Sequence, residues 1–173
     1  MRSLLRSRSS RSAFTLIEAT LAVAIVAIMI GAGLSAVTQS QRSRRLAEEM
    51  SKARGLAAIL LEEVGALAYC DPQEPTRPLG PDTYEDVQDR FTFDDIDDYD
   101  GLMVTPITDK DATWLTDEQW VANFTVTWIV SDDPGTAQLQ ETNLKRIRVV
   151  LSHAGRDVYS GSIVKSKGWE ALQ

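Results

Sequence analysis

The chain has 173 residues, 43% apolar and 25% charged, with a formal net charge of −7, the composition of a folded protein and not of a disordered one. One cysteine, Cys70, excludes an internal disulfide, and one histidine, His153, removes most histidine-based catalysis and most zinc sites. Residues 1–13 carry four arginines and no acid, which leaves 14 basic against 25 acidic residues, or −11, in the rest; so acidic a body repels phosphate backbones and argues against nucleic acid as a partner.

The first 13 residues, MRSLLRSRSSRSA, are short, basic and serine-rich. From Phe14 to Val37 the only charge is Glu18. As a helix this block is about 36 Å long, enough to cross a hydrocarbon core of about 30 Å. It is too long for the apolar stretch of a Sec signal peptide. Its many Ala, Gly and Ser residues let helices approach closely in lipid. Arg42, Arg44 and Arg45 flank the far end, so the positive-inside rule biases orientation only weakly.

A plain signal anchor accounts for the length but leaves Glu18 unexplained. A carboxylate in such a block costs up to about 3 kcal/mol at the centre of a membrane helix and less near its end. Glu18 lies four residues after Phe14, about 6 Å along a helix axis. A cut before Phe14 would create an amino group near that depth, and the carboxylate of one subunit could pair with the amine of a neighbour.

The stretch SAFTLIEATLAVAIV resembles the processing segment of type IV prepilins and of the pseudopilins of type II secretion. The resemblance implies a leader over residues 1–13, removed by prepilin peptidase between Ala13 and Phe14. It implies methylation of the new terminus at Phe14, and a docking role for Glu18 in filament assembly. That family usually has glycine before the cut, where this chain has Ala13. The implied partners are the peptidase, other pilin or pseudopilin subunits, an inner-membrane assembly platform and the bilayer. The implied location is a single pass through the bacterial inner membrane with the head in the periplasm, or in an exported surface filament. Residues 14–38 would be the membrane and filament-core helix.

Residues 39–70 continue the helical pattern. Leu46, Met50, Ala53, Ala57, Leu60, Val64 and Leu67 alternate spacings of four and three, and Pro72 ends the run. The stripe fits a coiled-coil seam or a face on which a head packs; its alanine content favours packing on the same chain's sheet. The resemblance implies the same arrangement, an α+β pilin fold in which a long helix is clasped by an antiparallel sheet.

The expected head is 71–173. It opens with CDPQEPTRPLGP, which reads as a loop, and an acidic loop over 82–101 follows. Within it Asp94, Asp95, Asp97, Asp98 and Asp100 crowd into FDDIDDYDG. Calcium takes six to eight oxygen ligands, which makes these five its candidate ligands. An EF-hand is excluded, because setting Gly101 at loop position six places Ile96 and Ile107 at the first and last ligand positions. A solvated acidic turn over Phe91, Phe93, Ile96 and Tyr99, or a contact with a neighbour's basic residues, stands beside the calcium reading. The string, with Trp128 and LKRIRVVL behind it, resembles minor pilins of the MSHA and PilV-like group.

Period-two alternation predicts strands over Val121–Val130, Leu144–Ser152 and Arg156–Lys165, with Gly161 a weak point in the third. A further strand over Leu102–Ile107 would be an edge because of Pro106. Short connections predict an antiparallel meander with one face on the helical stripe. The motifs for phosphate loops, zinc proteases and serine hydrolases are absent, and His153, in SHAG, reads as solvent-facing and not catalytic. The chain therefore reads as a non-enzymatic minor pilin or pseudopilin. An adhesin displaying Trp114, Trp120 or Trp169 and an unprocessed anchored domain are the alternatives.

Overall fold

The computed structural model describes residues 15–71, 78–81, 89–109 and 113–168. It is an α+β chain: helix α1 (Leu16–Gly65), one 3-10 turn (Asp97–Tyr99), and strands β1 (Met103–Val104), β2 (Trp120–Ile129), β3 (Leu144–His153) and β4 (Arg156–Ser166). The chain divides into two compact units, Met1–Leu46 and Ala47–Gln173.

In the first unit the part of α1 over residues 16–38 carries no charge but Glu18, is apolar on all its other sides and is long enough to cross a membrane, with Leu16, Ile17, Val23, Ile28 and Met29 among its exposed side chains. Such a helix buries nothing by itself and needs lipid or other helices around it. Its few polar groups are satisfied locally. The hydroxyls of Thr20, Ser35 and Thr38 donate back to the carbonyls of Ile17, Gly31 and Leu34 at 2.9, 2.9 and 2.6 Å. This is the usual accommodation of such residues where water is scarce.

In the second unit the remainder of α1 lies on the sheet. Ala53, Leu56, Ala57, Leu60, Leu61 and Val64 are buried, at the three-and-four spacing of one helix face. Against them stand the inward positions of the strands: Trp120, Ala122, Phe124 and Val126 on β2, and Ile147, Val149 and Leu151 on β3. The four strands pair antiparallel in the order β1-β2-β3-β4, the predicted meander. The hairpin from β3 to β4 turns on Ala154 and Gly155, both at positive φ (50° and 76°), as a two-residue turn of matching twist requires.

Four details differ from expectation. First, α1 ends at Gly65 and does not run on to residue 70. The Lys165 ammonium from β4 donates to the carbonyls of Gly65 and Leu67, so the helix end is capped from the sheet and the chain turns early. Second, Leu46 and Met50, the leading members of the predicted buried stripe, are 42% and 43% exposed. Third, Gly161 does not weaken β4. A Cβ there would stand 3.2 Å from Leu61 Cδ1 and 3.7 Å from Ala57 Cβ, so glycine is what lets strand and helix approach. The predicted edge strand shrinks to Met103–Val104, ahead of Pro106.

Candidate functional site

The acidic string is built into the fold and is not a solvated turn. Asp95, Asp97 and Asp98 are buried with Phe93, Ile96 and Tyr99. Each carboxylate has a defined duty. Asp95 Oδ1 accepts the Asp97 amide at 2.6 Å, and Asp98 Oδ2 accepts the amides of Asp94 and Asp95 at 3.2 and 3.1 Å. Asp100 Oδ1 accepts the Val126 amide at 2.9 Å, continuing the row in which the Leu102 carbonyl takes the Phe124 amide. The string thus extends the edge of β2 beyond the two-residue β1.

Asp97 turns the other way. Its Oδ2 receives the Lys145 ammonium of β3 at 2.6 Å, and the same ammonium donates to the Tyr69 carbonyl at 2.7 Å and lies 4.1 Å from that ring's centroid. Lys145 is 2% exposed. A buried ammonium survives only when paired and hydrogen-bonded, and here it has both forms of support. Burial pushes the Asp97 carboxyl up, with the Lys145 contact opposing the shift. Burial, then the Asp97 charge, raises Asp95 from 3.8 to about 6.

Of the five candidate calcium ligands, Asp94, Asp95 and Asp98 can each bring one oxygen within 4.8 Å of the others. Asp97 faces Lys145 and Asp100 faces the Val126 amide. The three grouped carboxylates carry six oxygens between them, of which Asp95 Oδ1 and Asp98 Oδ2 already accept backbone amides.

Beside the string a groove of about 700 Å³ runs along the last turns of α1, lined by Ile59, Glu62, Ala66, Phe91 and Asp109, with Arg90, Glu63 and Tyr99 at its base. Arg90 Nε lies 3.2 Å from Glu63 Oε1, the Tyr99 hydroxyl donates to the same oxygen at 2.9 Å, and Arg90 Nη2 donates to the Thr108 carbonyl at 2.6 Å. Arg90 Nη1 is buried without an acceptor. Burial and the Glu63 charge push the Tyr99 phenol well above its ordinary range.

At the amino end, Ala13 and Phe14 lie outside the described residues. Glu18 is exposed in the first turn of α1, where its amide donates to the Thr15 carbonyl at 3.0 Å and its Oε2 lies 3.5 Å from the Thr15 hydroxyl. The spacing is that of a capping box, and a carboxylate there favours the positive end of the helix dipole.

His153 is not the solvent-facing residue expected. It stacks on buried Trp120, ring centroids 4.5 Å apart, and its Nδ1 lies 3.6 Å from Glu49 Oε1, whose partner oxygen takes Arg156 at 2.7 Å. Trp120 is core, Trp114 is 66% exposed, and Trp169 lies outside the described residues.

These features define a class at the level of architecture: an apolar helix able to span a membrane, and an α+β unit in which the same helix packs on an antiparallel sheet. No protein-family model, no curated protein sequence and no solved structure matches this chain.

Proposed function

We propose that the chain is the membrane-inserted precursor of a type IV pilin-like filament subunit, a minor pilin or pseudopilin, whose work is assembly and not catalysis. The observation that carries this reading is Glu18, the single charge in the apolar block from Phe14 to Val37, placed in the first turn of α1. The packing of the second half of that helix on an antiparallel sheet supports it. In this reading prepilin peptidase cuts after Ala13, Phe14 is methylated, and Glu18 of one subunit pairs with the terminus of its neighbour. A carboxylate and an ammonium a few ångströms apart attract far more strongly in an apolar core than in water. The apolar helices pass from the inner membrane through the assembly platform into the filament core, and the sheet faces outward in the periplasm or on the surface.

The test is the mass of the amino-terminal peptide from cells with and without an active prepilin peptidase. A peptide beginning at N-methylated Phe14, seen only with the peptidase, is expected. A chain that keeps residues 1–13 in both would overturn the processing step and leave a single-pass anchored domain.

A further inference from the structure

Lys145 and Asp97 meet inside the head as ions that are incompletely satisfied. Lys145 is 2% exposed and Asp97 7%, and Nζ stands 2.6 Å from Asp97 Oδ2. The three ammonium hydrogens have two oxygen acceptors, Asp97 Oδ2 and the Tyr69 carbonyl, with the Tyr69 ring beside them. Asp97 Oδ1 is buried with no hydrogen-bond partner. Two charges held out of water with an oxygen and a hydrogen unmet are a costly arrangement. An amide between the same two groups has one N–H, one carbonyl oxygen and no charge. Its N–H already has an acceptor in place, the Tyr69 carbonyl at 2.7 Å from Nζ.

We propose that the folded chain joins Lys145 to Asp97 through a covalent amide bond between Nζ and Cγ. Within the pair one proton passes from the ammonium to the carboxylate, which leaves a neutral amine beside a carboxylic acid. Nζ attacks Cγ, the Nζ–Cγ bond forms and one Cγ–O bond breaks. That oxygen leaves as water, with the acid's proton and a second proton from Nζ. The chain loses one water and two opposite charges, and no redox partner is needed. Folding supplies the proximity that a condensation between separate molecules lacks. Loss of both buried charges favours the product.

Asp95 is placed to carry the second proton. It is 4% exposed, its Oδ1 accepts the Asp97 amide at 2.6 Å, and its carboxyl feels the charges of both Asp97 and Lys145. Positioned proton transfer of this kind is worth about 10²–10⁴ in rate. The bond follows folding, so a freshly folded chain holds the ion pair and an aged one the amide. The two residues lie 48 apart in sequence, and the loop they close contains β1 and β2. A cross-link there restricts the unfolded chain as a disulfide does, in a protein with one cysteine. The bond arises from the head's own geometry and does not depend on what the chain assembles into.

The experiment is peptide mapping by mass spectrometry of the full-length chain, kept folded in detergent at neutral pH and then digested under denaturing conditions. A branched peptide is expected that joins the segments around Asp97 and Lys145 and weighs one water less than their sum. Lys145→Arg keeps a cation but has no amine, and is expected to give the two linear peptides alone. Asp95→Asn keeps the oxygen that accepts the Asp97 amide but cannot carry a proton. Circular dichroism checks that it folds, and its branched fraction at equal times is expected to fall at least about tenfold. Only linear peptides from the parent would overturn the bond and leave an ion pair. An undiminished branched fraction in Asp95→Asn would overturn the proton transfer through Asp95, since a residue that only holds the turn would give that result. Processing at Phe14 is read on a different peptide, so failure of this bond and failure of the filament reading are distinct results.

Discussion

Lys145 Nζ stands 2.6 Å from Asp97 Oδ2, with both side chains buried, and this pair ties the acidic string to the middle of the sheet. Breaking one half leaves the other as an uncompensated buried charge, whereas removing both leaves only a packing change. Lys145→Met is therefore expected to cost about 3–5 kcal/mol, and Lys145→Met with Asp97→Leu appreciably less. Denaturant unfolding of the full chain in detergent measures both. A double variant whose cost equals the sum of the two single costs would show that the two groups act independently.

Asp95 gives the chain a stability that depends on pH. Its carboxyl titrates at 3.8 unperturbed and at about 6 when folded, so the folded chain holds the proton longer than the unfolded one. Asp95 is therefore harmless below the lower value and becomes destabilising as pH rises through the upper one, by at most about 3 kcal/mol. Asp95→Asn keeps the side-chain oxygen that accepts the Asp97 amide and never ionises. The variant is expected to be the more stable at pH 8, with the gap closing by pH 4. Melting curves across that range decide it, and a gap independent of pH would remove Asp95 from the account.

Much of the architecture was legible in sequence because it rests on periodicity. Alternation located β2, β3 and β4 within a residue or two, since each has one face on a helix and one toward solvent. The buried helix face was legible for the same reason. The break at Gly65 was legible in part: a glycine inside the helical pattern marks a soft point, but the cap that ends the helix there comes from a lysine 100 residues away reaching the helix carbonyls. Lys145 was legible in principle: Ile147, Val149 and Leu151 define the inward face of β3, and two positions earlier on that face stands a lysine. A charge on an apolar face demands a partner, and the only dense store of carboxylates is the string that pairs with it. The partner oxygen itself, and the stacking of His153 on Trp120, come from tertiary contacts that no local pattern encodes.

Calcium tests the string from another side. Asp95 and Asp98 already spend carboxylate oxygens on backbone amides, and Lys145 places a positive charge on Asp97. Millimolar Ca²⁺ is therefore expected to leave the melting temperature of the full chain unchanged. A site occupied a hundredfold above its dissociation constant would add about 2.7 kcal/mol, a shift of several degrees. A rise of that size, lost in Asp94→Asn, would establish a cation site on Asp94, Asp95 and Asp98 and give the string a second duty.

Glu18 is the residue on which membrane insertion and assembly separate. Insertion depends on the summed apolarity of the block, which runs without another charge to Val37, and an acid near the end of such a helix costs less than one at its centre. Glu18→Gln removes the charge, keeps nearly the same shape, and leaves the Thr15 carbonyl to receive the helix's first amides. Insertion is therefore expected to be as efficient as in the parent, or slightly better, by membrane fractionation and alkali extraction. Incorporation into filaments, measured in sheared fractions or by crosslinking to neighbouring subunits, is expected to fall at least tenfold, because the amine of the adjacent subunit loses its counter-charge where water is scarce. Incorporation at the parental level would mean that the carboxylate serves only the helix cap, and the filament reading would lose the observation that carries it.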